Sequence, residues 1–216
     1  MRHAQVRYFE GLHPNDVTLT ELGREQARAA AEALRGVAFD RVVTSGLPRT
    51  IETAAAVAPG QEPERWPDLR EIESGRIGSI PEDELEEAFV RAFHGRVPED
   101  RPFLGGETVG SLLDRVLPAL DRLVAEPGWD TALLVLHGGV NRAVLSYALT
   151  GERAFLGGFE QAPGCINVLE VGDDGWLVRA VNHTPSDPAH ANAPRLSTME
   201  QLWEEFLGAR QARPQE

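Results

Sequence analysis

The chain has 216 residues, 42% of them hydrophobic, enough for one ordinary-to-large domain or a core with an inserted subdomain. Its 34 acidic and 21 basic side chains leave a formal charge of -13, which argues against nucleic acid or an anionic membrane surface as partner. The single cysteine, Cys165, rules out an internal disulfide and a cysteine-rich metal site, and the lack of a long apolar run or signal-peptide core points to the cytoplasm.

In chain order, Thr20 to Leu34 ("TELGREQARAAAEAL") is rich in good helix formers, opens on a capping threonine and stops at Gly36. "DRVVTS" then reads as a β-branched strand, and "LPRTIETAAAVA" as a helix ending at Pro59 and Gly60. "RWPDL" is a short run that would deliver Glu71 to a strand end. Residues 76 to 104, with the acidic stretch "PEDELEEAFVRAFHG", read as a helical insertion lying over the rest. Thr108 to Glu126 predicts a further helix, kinked at Pro118. "TALLVLHGGVNRAVLSYAL" begins as a doubly buried strand, breaks at Gly138-Gly139 and continues as a helix. "CINVLEV" and "WLVRAV" around "GDDG" form a hairpin, with Cys165 as a buried strand residue. Residues 197 to 212 carry a capping box, with Met199, Leu202, Trp203, Phe206 and Leu207 at helical spacing. Packing on its own domain is the favoured reading of that helix, a homodimer surface the other, with fraying expected after Ala209. Alternating strands and helices imply an α/β fold with a largely parallel sheet.

In such a sheet the ligand site lies at the carboxyl ends of the strands. That rule gathers Ser45 and Arg49 after "RVVT", Glu71 after "RWPDL" and His137 after "TALLVL", joined by Arg2 and His3 if a strand leads into them. Arginine's planar fork matches phosphate oxygens, histidine can attack or donate, and a carboxylic acid can protonate a leaving alcohol. The set describes phosphoryl transfer without a metal. Taken singly each residue has a plainer reading. His137 could be a hydrogen-bonded core residue, Arg49 could pair with Glu52 on its own helix, and Glu71 could be a solvated carboxylate beside Arg70, with Glu73 close enough to be mistaken for it. His13, His94, His183 and His190 read as surface or loop residues. His94, Arg91 and Arg96 of the insertion could alternatively reach the far end of a substrate.

"RHAQ" at 2 to 5, "LTELGREQA" at 19 to 27, "VVTSGLPRTIETA" at 42 to 54, "LREIESG" at 69 to 75, "GGET" at 105 to 108 and "LHGGVNRAVL" at 136 to 145 stand in an informative order. Together they resemble the successive motifs of the histidine phosphatase superfamily, in its phosphoglycerate-mutase-like branch. The resemblance runs from Arg2 to about Asn182. It implies one domain over 1 to 216, a three-layer α/β/α sandwich whose insertion, about 76 to 104, covers the active site, and no metal or cofactor.

The resemblance also implies roles. His3 would be the nucleophile that forms a phosphohistidine, and Arg2, Arg49 and His137 would hold the phosphoryl oxygens. Glu71 would protonate the leaving oxygen and then activate water. Gln5, Ser45 and Gly138 would have secondary parts, and Glu107 would orient the site or cap the following helix. Three departures stand out. No apolar strand precedes "RH", so Arg2 and His3 are expected on a flexible terminus, with a start codon further upstream. Ala4-Gln5 replaces a common Gly-Glu, and Phe9 stands where many relatives have asparagine. The expected reaction is hydrolysis of a small phosphomonoester; a mutase and a non-catalytic phosphate-binding protein are the alternatives.

Overall fold

The computed structural model describes residues 1–191 and 196–212. Strand β1 (Arg41–Thr44) lies between β2 (Glu64–Arg65) and β3 (Ala132–Val135), parallel to both, with Val43 opposite Leu134. Alternation along these strands divides the core. Val42, Leu133 and Val135 turn to α1 (Glu21–Ala33) and α2 (Pro48–Val57), where Ala30, Ala54 and Val57 cover them. Val43 and Leu136 face the opposite way, onto Leu112, Leu113 and Val116 of α4 (Val109–Ala125) and Val140 and Val144 of α5 (Gly138–Thr150). A parallel sheet covered on both faces is the expected arrangement for crossover helices, and it forms three layers.

Local chemistry sets the helix ends. Thr20 caps α1 through Gly23 N, Thr108 caps α4 through Ser111 N, and Gly151 closes α5 in the left-handed conformation. α4 continues through Pro118 without interruption. The antiparallel hairpin of β4 (Ile166–Gly172) and β5 (Gly175–His183) follows, and Cys165 is buried just ahead of it. No described helix is long and apolar enough to cross a membrane.

Several expectations are corrected. "RWPDL" is mostly a 3-10 turn, Pro67–Leu69, because a proline cannot donate to a sheet ladder. Within 76 to 104 helical structure is confined to a 3-10 turn, Ile77–Ser79, and the six-residue α3 (Leu85–Val90); Pro81, Gly95 and Pro98 bound what the acidic stretch can form. The terminal helix α6 (Thr198–Ala212) extends beyond Ala209. Its capping box is formed, with Ser197 N donating to the Glu200 carboxylate and Glu200 N to the Ser197 hydroxyl. Met199, Trp203 and Phe206 then pack on Phe89 of α3, so this face is spent within the chain.

Candidate active site

Arg2 and His3 are not loose. Leu136 N donates to Met1 O, His3 N donates to Leu136 O, and Arg2 N donates to Cys165 O, so residues 1 to 3 continue the ladder beside β3. Ala4 N donates to the Thr53 hydroxyl of α2, and His3 is only 1% exposed. The expected flexibility is thus overturned: these bonds, with Gly164 N donating to His3 O and the Met1 amino group to Leu134 O, fix this segment.

His3 points its reactive nitrogen inward by elimination. Its Nδ1 lies 2.8 Å from Ala4 O, a carbonyl that can only accept, so Nδ1 carries the proton and Nε2 keeps a lone pair. The two histidine rings meet edge to face, 5.2 Å between centroids. His137, at the cap of α5, has Nε2 2.7 Å from the Ser45 hydroxyl. The Ser45 oxygen also receives Leu47 N and lies 3.2 Å from the Thr50 hydroxyl, whose own proton goes to Leu47 O, so Ser45 has two acceptors for its proton, Thr50 and His137 Nε2.

Around these rings stand two arginines. Arg49 is 2% exposed and gives one N–H to Pro14 O; Arg2 gives one to Gln161 O. Among the described residues neither forms an ion pair, and the buried side-chain nitrogens left without a partner are Arg2 Nε, Arg49 Nε and His137 Nδ1. Buried polar nitrogens without a partner are costly. Three of them around one imidazole describe a cradle for an anion. Burial, then Arg49 and Arg2, push His3 well below the usual histidine range, opposed by the bond to Ala4 O. Burial and Arg49, followed by His3 and Arg2, do the same to His137. Both rings are therefore neutral near pH 7, as a nucleophile requires.

Glu71 reaches the site from the opposite loop. Its carboxylate oxygens accept Gly139 N at 3.0 and 3.1 Å, and Ile72 N at 3.1 Å. A β-carbon at Gly138 would lie 3.7 Å from Glu71 Oε2 and 3.8 Å from Arg2 Nε, which puts the carboxyl and the guanidinium on one spot of helix α5. Glu73 is exposed instead, its backbone held by Glu107. Glu107 is no helix cap, since Thr108 does that work. It forms a two-pronged pair with Arg115, at 2.8 Å on each arm, and Arg115 also donates to the carbonyls of Asp68, Arg70 and Glu71. The pair thereby fixes the loop that presents Glu71.

Other predicted residues fall elsewhere. Gln5 turns to α1, accepting the Thr20 hydroxyl, while its backbone N–H donates to Gln26. Glu52 accepts Leu19 N, so it leaves Arg49 free. His13, His94, His183 and His190 are exposed. Arg91 and His94 line a groove of about 390 Å³ that holds none of His3, Arg49, Glu71 or His137, and Arg96 faces Glu152 at 3.7 Å. Residues that sequence reasoning missed include Arg115, Gln161, and Arg142, which is 4% exposed and donates to Gly138 O and Gly157 O. Burial pushes Arg142 down to about 10. Its i to i-4 spacing from Gly138 was the available signal.

Residues 1–184 match the family described as histidine phosphatase superfamily (branch 1). Among curated relatives, the probable phosphoglycerate mutase GpmB of Salmonella paratyphi A is 29% identical over 195 residues, covering 86% of this chain and 89% of that protein. The chicken 6-phosphofructo-2-kinase/fructose-2,6-bisphosphatase is 30% identical over 153 residues, 68% of this chain but 32% of that much longer protein. Among solved structures, the mycobacterial glucosyl-3-phosphoglycerate phosphatase in complex with VO3 superposes with TM-score 0.67 at 26% identity, over 84% of this chain and 96% of that one. The α-ribazole phosphatase of Shigella flexneri gives 0.68 at 22% identity, over 84% and 94%, a likeness of fold.

Proposed function

The chain belongs to the histidine phosphatase superfamily, and from that premise we propose that it hydrolyses a small phosphomonoester through a phosphohistidine on His3, without a metal. The observation that carries this reading is the cradle itself: three unpartnered buried nitrogens, on Arg2, Arg49 and His137, beside a neutral imidazole whose Nε2 holds the attacking lone pair.

The His3 Nε2 lone pair attacks phosphorus, forming the N–P bond as the bond from phosphorus to the leaving oxygen breaks. Arg2, Arg49 and His137 stabilise the charge on the three remaining oxygens. Glu71, as the acid, gives its proton to the leaving oxygen. A water then enters, Glu71 as carboxylate takes one of its protons, the new O–P bond forms and the N–P bond breaks. Inorganic phosphate leaves and His3 is neutral again. Two easier steps replace one difficult displacement.

Hydrolysis is favoured over phosphoryl return to a second hydroxyl by the surroundings of the nucleophile. Tyr8 and Phe9, both partly exposed, follow the nucleophile, Glu205 meets them at Tyr8 N, and Arg7 is paired to Glu10. Such walls suit a leaving group of low charge better than a densely anionic bisphosphate. The mutase reading draws support from the name of the Salmonella relative; it predicts transfer between hydroxyls without release. The deciding experiment is phosphate release from an aryl phosphate with a chelator present, for this chain and for His3→Ala. Chelator-resistant release lost in the variant supports the proposal, and equal release in both would sink it.

A further inference from the structure

One side chain at the nucleophile has no part in the scheme above. Tyr8 lies five residues beyond His3 in a stretch without regular structure, and its hydroxyl stands 3.4 Å from His3 Nε2. Because Nδ1 is committed to Ala4 O, Nε2 can only accept, so the phenol donates to the very lone pair that must attack phosphorus. At 3.4 Å the bond is long and cheap to exchange.

Building on the phosphohistidine reading, we infer that Tyr8 is a further catalytic residue: its hydroxyl leaves Nε2 as phosphorus arrives and donates to a phosphoryl oxygen, with Glu205 of α6 positioning it. No proton changes owner in this exchange. The O–H simply trades a nitrogen acceptor for an anionic oxygen, and bonds to charged acceptors are the stronger kind. A phosphoryl group on Nε2 brings its oxygens within reach of a hydroxyl that now stands 3.4 Å from that nitrogen. The neighbouring Phe9 offers no polar atom to do this work.

Two contacts hold the ring for the task. Its face covers the Arg49 guanidinium, with the central carbon 5.6 Å from the ring centroid, so the phenol and one arm of the cradle share a position. Its backbone N–H donates to the Glu205 carboxylate at 2.6 Å, across 197 residues of sequence. Glu205 comes from a helix anchored at two further points: Phe206 meets Phe9 at 5.4 Å, and Thr198 bonds to Glu160 and to Arg142. Helix α6 thereby sets where the segment after the nucleophile stops.

The test uses inorganic phosphate binding by titration calorimetry, which does not depend on turnover, together with steady-state kinetics on an aryl phosphate. Tyr8→Phe keeps the ring over Arg49 and removes only the hydroxyl. It should bind phosphate about 10-fold more weakly, equivalent to about 1.4 kcal/mol, and lose at least as much in kcat, with an unchanged melting temperature. Equal or tighter binding, or faster turnover, would mean that the hydroxyl only covers the nucleophile, and would overturn the inference. Glu205→Ala should reproduce the Tyr8→Phe loss, Glu205→Gln should restore it by keeping an acceptor oxygen, and the Tyr8→Phe/Glu205→Ala double variant should be no worse than either. Additive losses, or a Glu205→Ala protein that binds phosphate normally, would remove Glu205 from the account. A parent chain that binds no phosphate would refute the cradle itself, an outcome distinct from a parent that binds and a Tyr8→Phe variant that binds equally well.

Discussion

Gly139→Ala separates the acid from the rest of the site without replacing any of its side chains. Gly139 is the second residue of α5, and a β-carbon there would lie 2.6 Å from Glu71 Oε1 and 3.2 Å from Ile72 Cγ2. Contact at 2.6 Å cannot be sustained, so the carboxylate swings away and gives up the N–H of residue 139, now held at 3.0 and 3.1 Å. Losing one hydrogen bond to a charged group costs about 1.5–3 kcal/mol, while alanine in place of glycine inside a helix returns about 1 kcal/mol. The fold should therefore be destabilised by only about 0.5–2 kcal/mol. Activity should fall much further, roughly 10²- to 10⁴-fold, the range for loss of a general acid and base. The loss should be larger for an alkyl phosphate, whose leaving oxygen needs the proton, than for an aryl phosphate. Urea denaturation and phosphate release on both substrates measure the two effects. A variant within three-fold of the parent on the alkyl substrate would refute the role of Glu71.

Arg49→Lys keeps the charge but not the fork, and Lys cannot replace the Nε donor that has no partner; inorganic phosphate affinity by calorimetry should fall about 10-fold. Arg115→Ala removes the pair with Glu107 and three bonds to carbonyls of the Glu71 loop, none of them to substrate. It should lower kcat with little change in phosphate affinity, and cost stability of about 1.5–3 kcal/mol. The buried histidines make stability depend on pH. Their values are held below the ordinary 6.5, so the folded state takes up fewer protons than the unfolded one. Stability should be full above about pH 6.5 and decline below it by up to about 1.4 kcal/mol per pH unit for each ring. Urea melts from pH 7.5 to 5.5 should show this slope, reduced in His3→Ala; a flat profile would contradict the assigned burial.

What was legible in the sequence was local. α1 and α4, and the start of α6, fall within a residue of the expected limits because caps and periodicity are written in neighbouring residues. The ordered motifs also named His3, Arg49, Glu71 and His137, which the fold brings together. Three things were hidden. The placement of residues 1 to 3 depends on ladder bonds to Leu136 and Cys165, more than a hundred residues away. Helix content in 76 to 104 was overestimated because acidic, amphipathic spacing says nothing about the turns that Pro81, Gly95 and Pro98 impose. The contacts of Tyr8 with Arg49 and Glu205, and of Arg115 with the Glu71 loop, join distant elements, and no pattern along the chain records them.

The central claim is a covalent phosphorus on one nitrogen. The direct measurement is acid-free quenching of the enzyme during turnover of an aryl phosphate, followed by peptide mass spectrometry. An acid-labile phosphoryl group on His3, absent from His3→Ala and accumulating in Glu71→Gln, is the predicted result. Turnover with no phosphoryl group on His3, retained in His3→Ala, would contradict it.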